Sequence, residues 1–182
     1  MRYIIRGGEG GDYAQRNPGV MGNAWFPQKI TMVPDANTEL LGLDGLDYKN
    51  EVLVHDNFKE YLSVKEYAKD TTATIQLIKE QPNQLVYDYS SASERFTVFS
   101  EVYFNKGWNA YVDGVLTPHF RANYMLRAML LPKGKHTIEF KFEPQVVSKG
   151  SKITLGTSIL LILLLLGGFI FSRKSTSSNE KA

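Results

Sequence analysis

Thr137-Ile138-Glu139-Phe140-Lys141-Phe142-Glu143 alternates without exception. Ile138, Phe140 and Phe142 fall on one side, and Thr137, Glu139, Lys141 and Glu143 on the other. A side-chain period of two marks a strand with one face buried. The stretch that leads into it, Val98 to Pro144, reads VFSEVYFNKGWNAYVDGVLTPHFRANYMLRAMLLPKGKHTIEFKFEP. Asp113-Gly114 lies between two extended runs, and Asp-Gly supplies the positive φ angles of a tight hairpin. Leu131-Pro132-Lys133-Gly134 predicts a second turn, with Pro presetting φ and Gly closing it. The stretch is therefore a run of antiparallel strands with aromatic faces.

Upstream, the pattern repeats with shorter strands. Thr74 to Lys79 and Leu85 to Tyr89 read as strands about a turn at Gln81-Pro82-Asn83-Gln84. Phe96 to Phe104 is apolar on both sides, which predicts a central strand covered twice. Arg2 to Arg6, Gly22 to Phe26 and Ile30 to Val33 are further strand candidates, and Gly7 to Gly11 is a loop without the ending of a phosphate-binding motif. Asp35 is placed to cap a helix over Ala36 to Leu43, with Leu40, Leu41 and Leu43 on one side. Leu46 to Tyr61 fits either a strand at Val52-Leu53-Val54 or a helical turn at Asn57 to Leu62. Together these elements predict a mainly β protein, an antiparallel β-sandwich of jelly-roll type with one short helix.

Ile153 to Phe171, ITLGTSILLILLLLGGFIF, contains no charge. At about 1.5 Å per residue, its roughly nineteen residues cover the apolar thickness of a bilayer. A core helix of that length would show a polar stripe, and this one has none. The expected division is residues 1–148 as the β domain, 149–172 as a single C-terminal transmembrane helix and 173–182 as a polar tail. Arg173 and Lys174 flank one end and Lys149 and Lys152 the other, so charge alone does not orient the helix. The apolar run Tyr3 to Ile5 is too short for a signal peptide. The expectation is either a tail-anchored protein or the last part of a longer membrane protein.

Net charge is +2, too small to argue for a nucleic-acid partner. The absence of Cys excludes disulfides and thiolate metal sites. His119 has no carboxylate or second His at ligand spacing, so no metal or cofactor is expected. No nucleophile elbow or Ser–His–Asp order is present, and no catalytic residue is assigned. Glu101 and Asp88 are the only carboxylates considered as an acid/base pair, and exposed strand positions account for them as well. Asp113 is accounted for by its turn.

The candidate ligand-binding residues are Trp108, Tyr111, His119, Arg121, Asn123 and Arg127. Read as a strand, His119, Arg121 and Asn123 would share one surface, opposite Phe120, Ala122 and Tyr124. Trp108 or Tyr111 would offer a ring to a sugar, and Arg121 and Asn123 donors to hydroxyls or a carrier phosphate. The competing reading is a solvated strand face, or a polar network that ties the domain to a neighbouring part of the protein.

GNAWF (Gly22–Phe26), VFSEVYFNKGWNAYVDG (Val98–Gly114), PHFRANYMLRAMLLPKGKHTIEFKFEP (Pro118–Pro144) and the closing apolar run resemble the C-terminal region of the YfhO family of bacterial membrane proteins. The resemblance covers about Arg2 to Phe171. It implies a large polytopic protein similar to glycosyltransferases of the GT-C class. Such enzymes take sugars from a polyprenyl-phosphate carrier and decorate cell-envelope polymers such as lipoteichoic acid. It further implies that residues 1–148 are an extracytoplasmic, noncatalytic domain of a protein in the bacterial cytoplasmic membrane. Its partners would be the lipid bilayer, the transmembrane part of the same protein, and a cell-envelope glycan or polyprenyl-phosphate sugar. The acidic residues expected in the family's first extracytoplasmic loop have no counterpart here. The alternative is a self-standing, membrane-anchored carbohydrate-binding or adhesion module.

Overall fold

The computed structural model describes residues 3–7, 11–62 and 64–179. The first two strands, β1 (Tyr3–Arg6) and β2 (Tyr13–Arg16), pair with each other as an exposed antiparallel hairpin. Arg2 and the glycine loop at 8–10 lie outside the described residues. The remaining strands are β3 (Ala24–Trp25), β4 (Lys29–Val33), β5 (Glu51–His55), β6 (Thr74–Gln81), β7 (Gln84–Ser91), β8 (Arg95–Val102), β9 (Trp108–Val112), β10 (Val115–Thr117), β11 (Phe120–Ala122), β12 (Leu126–Leu131) and β13 (Gly134–Phe142). Two helices, α1 (Ala36–Leu41) and α2 (Gln145–Asn179), and a 3-10 turn at Asp56–Tyr61 complete the elements among the described residues.

Two antiparallel sheets form the sandwich. One has the order β10-β9-β13-β7-β6 and the other β11-β12-β8-β3. The alternation of β13 is used as its sequence requires. Ile138 and Phe140 enter the core with Leu85, Tyr87, Tyr89 and Phe99, while Glu139 and Lys141 pair with each other at 2.8 Å. Tyr87, Phe99 and Phe140 meet edge to face at 4.9–6.2 Å. Such pairs add about 0.5–1.5 kcal/mol each beyond their burial.

The four-stranded sheet is buried on both faces, which explains the two-sided apolar pattern of β8. Phe99 and Met129 face the first sheet. Phe96, Val98, Phe120 and Ala128 face a third layer, which contributes Ile30, Val52 and Val54. That layer is the parallel pair β4-β5, followed by the 3-10 turn. A parallel pair is not legible from two short apolar runs. It resolves Leu46 to Tyr61 into a strand and then a helical turn, with both alternatives present in succession.

The Asp113-Gly114 hairpin joins β9 and β10, with φ of 50° and 81° at the two residues. The turn at Leu131–Gly134 has a different role from a hairpin. β12 and β13 belong to different sheets, so it carries the chain from one layer of the sandwich to the other. Three expectations are corrected. Strand β8 ends at Val102 rather than Phe104. Only Ala24–Trp25 of the expected Gly22–Phe26 strand is paired. Helix α1 ends at Leu41, its Leu40 and Leu41 are exposed, and its buried side chain is Glu39. Asp35 does cap it, accepting from the amides of Asn37 and Thr38 at 2.9 Å each.

The chain divides into compact units Met1–Glu143 and Pro144–Ala182. Helix α2 begins at Gln145, before the boundary expected at 148, and its backbone continues as helix into the segment expected as a tail. Within α2, Lys149–Gly167 is 19 residues long and apolar enough to cross a membrane. Its two threonine hydroxyls are satisfied within the helix. Thr154 donates to Gly150 O at 3.0 Å and Thr157 to Ile153 O at 3.1 Å. Internal satisfaction of polar groups is what a lipid environment demands.

Candidate functional site

Trp108 opens β9 and stands between two clefts. On one side, about 310 Å³ is lined by Tyr61, Tyr103, Asn105, Asn109, Thr117 and His119 together with Trp108. On the other, about 540 Å³ is lined by Glu80, Gln81, Pro82, Leu85, Glu101 and Trp108. Behind the indole lies Arg127, its Cζ 4.7 Å from the Trp108 ring and 4.4 Å from the Phe140 ring. The local sequence accounts for this. Arg127 falls on the same side of β12 as Met129 and Leu131, the side that meets the first sheet.

Of the six candidate residues, the structure brings three together: Trp108, His119 and Arg127. His119 sits against Tyr103 at 5.4 Å and Phe140 at 5.9 Å between ring centroids. Burial, helped by the positive charge of Arg127, pulls its pKa down to about 4, so the ring is neutral at physiological pH. Tyr111 points to the outer face of its sheet, where its hydroxyl donates to Glu143 at 2.6 Å. Lys141 lies 5.0 Å from its ring.

Arg121 and Asn123 are engaged elsewhere. Arg121 pairs with Glu39 at 2.9 Å. Asn123 Oδ1 accepts from Leu53 N at 2.9 Å, and the Asn123 backbone N–H donates to Leu53 O at 2.8 Å. The expectation of one surface shared by His119, Arg121 and Asn123 is therefore corrected. Strand β11 ends at Ala122, and Asn123 and Tyr124 adopt φ of 47° and 68°, so the period-two argument lapses there. The solvated-face reading is corrected too, since Asn123 is 4% and Arg127 1% exposed.

Sequence reasoning missed Glu39, Tyr61 and Tyr103. The signal for Glu39 was its place in the first turn of a capped helix, which reads equally as a solvated dipole partner. Asp88 and Glu101 do not share a cleft. Asp88 is exposed on β7, whereas the carboxylate that shares the 540 Å³ cleft with Glu101 is Glu80. Burial raises the pKa of Glu101, opposed by Arg127 and assisted by Glu80. A larger cleft of about 590 Å³ lies between the edges β3 and β6, with Trp25, Phe26, Asp70 and Arg95 among its lining residues. There Arg95 is spent on an ion pair with Asp70 at 3.2 Å and a hydrogen bond to Ala68 O. Among the described residues, no group of three His, Asp or Glu side chains is placed to hold a metal ion.

Asp113 does more than turn the chain. It accepts from Thr137 N at 2.8 Å and lies 2.6 Å from His136 Nδ1. The His136 hydrogen bond holds the Asp113 carboxyl below its usual range, and the same bond raises His136 above 6.5. A raised His contributes fully below its unfolded value of 6.5 and loses that contribution as pH rises through the folded value. The depressed Asp113 contributes above 3.8 and loses its share as pH falls through its folded value. His119, with a lowered pKa, works in the opposite sense to His136. We therefore expect the stability difference between the wild type and Asp113→Asn to shrink from about pH 6 to 8, with His119 cancelling in the comparison. Urea midpoints of the detergent-solubilised chain across that range measure it. A constant difference would remove the linkage.

A β-sandwich followed by a helix long and apolar enough to cross a bilayer fits the class of membrane proteins with a folded β domain. Residues 44–154 match the family described as bacterial membrane protein YfhO, and the chain belongs to that family. No curated protein and no solved structure matches it.

Proposed function

We propose that the sandwich is the noncatalytic, extracytoplasmic domain of a polytopic YfhO-family protein in the bacterial cytoplasmic membrane. The whole protein, on this reading, transfers sugar from a polyprenyl-phosphate carrier to a cell-envelope polymer, and this domain holds a sugar of the acceptor. α2 is then its last span, and the remaining transmembrane part of the same protein is its structural partner.

The observation that supports the reading is the 310 Å³ cleft. It combines three aromatic rings, Tyr61, Tyr103 and Trp108, with the amides Asn105 and Asn109 and the hydroxyl of Thr117. Sugars need both a flat apolar face for their C–H surface and amide or hydroxyl partners for their rims. A neutral His119 suits an uncharged ligand. Of the six candidate residues, this reading rests on Trp108 and His119, with Tyr61, Tyr103, Asn105, Asn109 and Thr117 beside them.

The chain has two Trp, so Trp25→Phe leaves Trp108 as the sole indole reporter. The detergent-solubilised Trp25→Phe protein, titrated with glucose, galactose and N-acetylglucosamine, is expected to show a saturable change in emission with at least one of them. Adding Tyr103→Ala is expected to weaken it about tenfold, equivalent to about 1.4 kcal/mol. Emission that stays flat with every sugar would leave the domain with a bracing role alone.

A further inference from the structure

We propose that the end of the sandwich at which β13 finishes is a lipid-contacting rim, seated in the headgroup layer of the bilayer. This goes beyond the sugar-binding reading and does not depend on it.

Pairing fixes which residues share that end. Phe142, the last residue of β13, is in register with Trp108, the first of β9. Strand β8 finishes at Val102 and reaches Trp108 through the short loop 103–107. The turn before β12 is tied to the same end, because Leu126 is in register with Val102 and Tyr103 N donates to Met125 O at 2.8 Å. Four large apolar side chains there are open to solvent: Val102 at 59%, Phe104 at 48%, Met125 at 52% and Phe142 at 39% exposed. The 103–107 loop also carries Lys106, a cation able to meet lipid phosphate.

Exposure alone does not choose this end, because Val115 and Leu116, on the edge strand β10 and level with Ile138 and Glu139 in the middle of β13, are more exposed still, at 68% and 65%. Chain length chooses it. Only Glu143 and Pro144 separate β13 from α2, and the uncharged run begins at Ile153. Two extended residues span about 7 Å and the eight helical residues 145–152 about 12 Å, so the end of β13 is bound within about 19 Å of the hydrocarbon boundary. The headgroup layer takes up about 5–8 Å of that distance. The other end of a nine-residue strand such as β13 is about 30 Å further along. Apolar loop residues held this close to lipid lower their free energy by entering the interface. The same residues facing water would form an unprotected patch.

The absence of Cys allows single reporters. The full chain carrying Phe104→Cys, Met125→Cys or, at the opposite end of β13, Lys135→Cys, each with a nitroxide, is reconstituted into phosphatidylglycerol/phosphatidylethanolamine vesicles. Collision with oxygen is compared with collision with a water-soluble nickel chelate. The oxygen-to-nickel ratio is expected to be at least about fivefold higher at 104 and 125 than at 135. Agreement of two independent positions guards against a local folding defect at either. Equal, water-like ratios at all three positions would overturn the proposal. Spin–spin broadening at 104 under high lipid dilution would also overturn it, since a second copy of the chain would then cover the rim.

Discussion

Arg127→Ala is expected to destabilise the sandwich by about 3–5 kcal/mol, whereas Arg127→Met is expected to stay within about 1 kcal/mol of the wild type. The guanidinium is 1% exposed. Its Nη2 donates to Val102 O at 3.1 Å, while Nε and Nη1 have no hydrogen-bond partner among the described residues. No carboxylate lies within ion-pair distance of it among those residues, and burial lowers its pKa, with Glu101 and Tyr87 pulling the other way. The cation is held by the rings of Trp108 and Phe140, each contact bringing about 2 kcal/mol when desolvated. Against this stands a desolvation penalty of several kcal/mol. The two terms nearly cancel, so what Arg127 supplies on balance is volume between the sheets. Alanine removes that volume and leaves a cavity. Methionine keeps most of it and replaces the cation–π contact with a sulfur–aromatic one of about 0.3–1.5 kcal/mol. Urea midpoints of the three proteins decide. If Met destabilises as much as Ala, the charge itself holds the core together and the cancellation is wrong.

This balance marks the limit of what the sequence reveals. The alternation of β13, the Asp-Gly hairpin and the two-sided pattern of β8 are local signals, and each maps onto a strand whose neighbours supply the buried face it calls for. The uncharged run in α2 is legible for the same reason. Arg127 is different. A cation between Leu126 and Ala128 reads as the solvent face of a strand, because nothing nearby in the chain announces that Phe140 and Trp108 will close over it. The aromatic cleft was hidden in the same way. Trp108 and His119 were visible as chemistry, but Tyr61 and Tyr103 enter from separate layers of the fold. Their meeting depends on the parallel β4-β5 pair and its 3-10 turn, which has no short-range signature. Asn123 failed for a local reason of another kind. A left-handed Asn–Tyr step ends the strand period, and neither residue demands that conformation in the way glycine does.

That left-handed step carries the second large effect. Glu39→Ala is expected to cost about 3–5 kcal/mol, close to the loss from breaking any buried pair at one partner. Glu39 is fully buried and accepts from Arg121 Nη2 at 2.9 Å and from Tyr124 N at 2.8 Å. Asn123 and Tyr124 sit at positive φ, a strained choice for non-glycine residues that costs of order 1–3 kcal/mol each. Glu39 holds the second of them by its amide, while Leu53 and Asn123 exchange hydrogen bonds to hold the first. The carboxylate therefore joins α1, β11 and the strained turn in one network. Removing it strands an arginine that is only partly solvated and frees the turn to relax. Glu39→Gln keeps an acceptor for the Tyr124 amide and loses the charge, so it falls between wild type and alanine. The double variant Glu39→Ala with Arg121→Ala is expected to cost less than the sum of the singles by about 1–3 kcal/mol, since the second change removes the stranded cation. Urea unfolding gives the energies, and amide exchange at Tyr124 gives the location, with protection lost in Glu39→Ala and retained in Glu39→Gln. Additive singles, or unchanged exchange at Tyr124, would assign the energy to α1 packing instead of the turn.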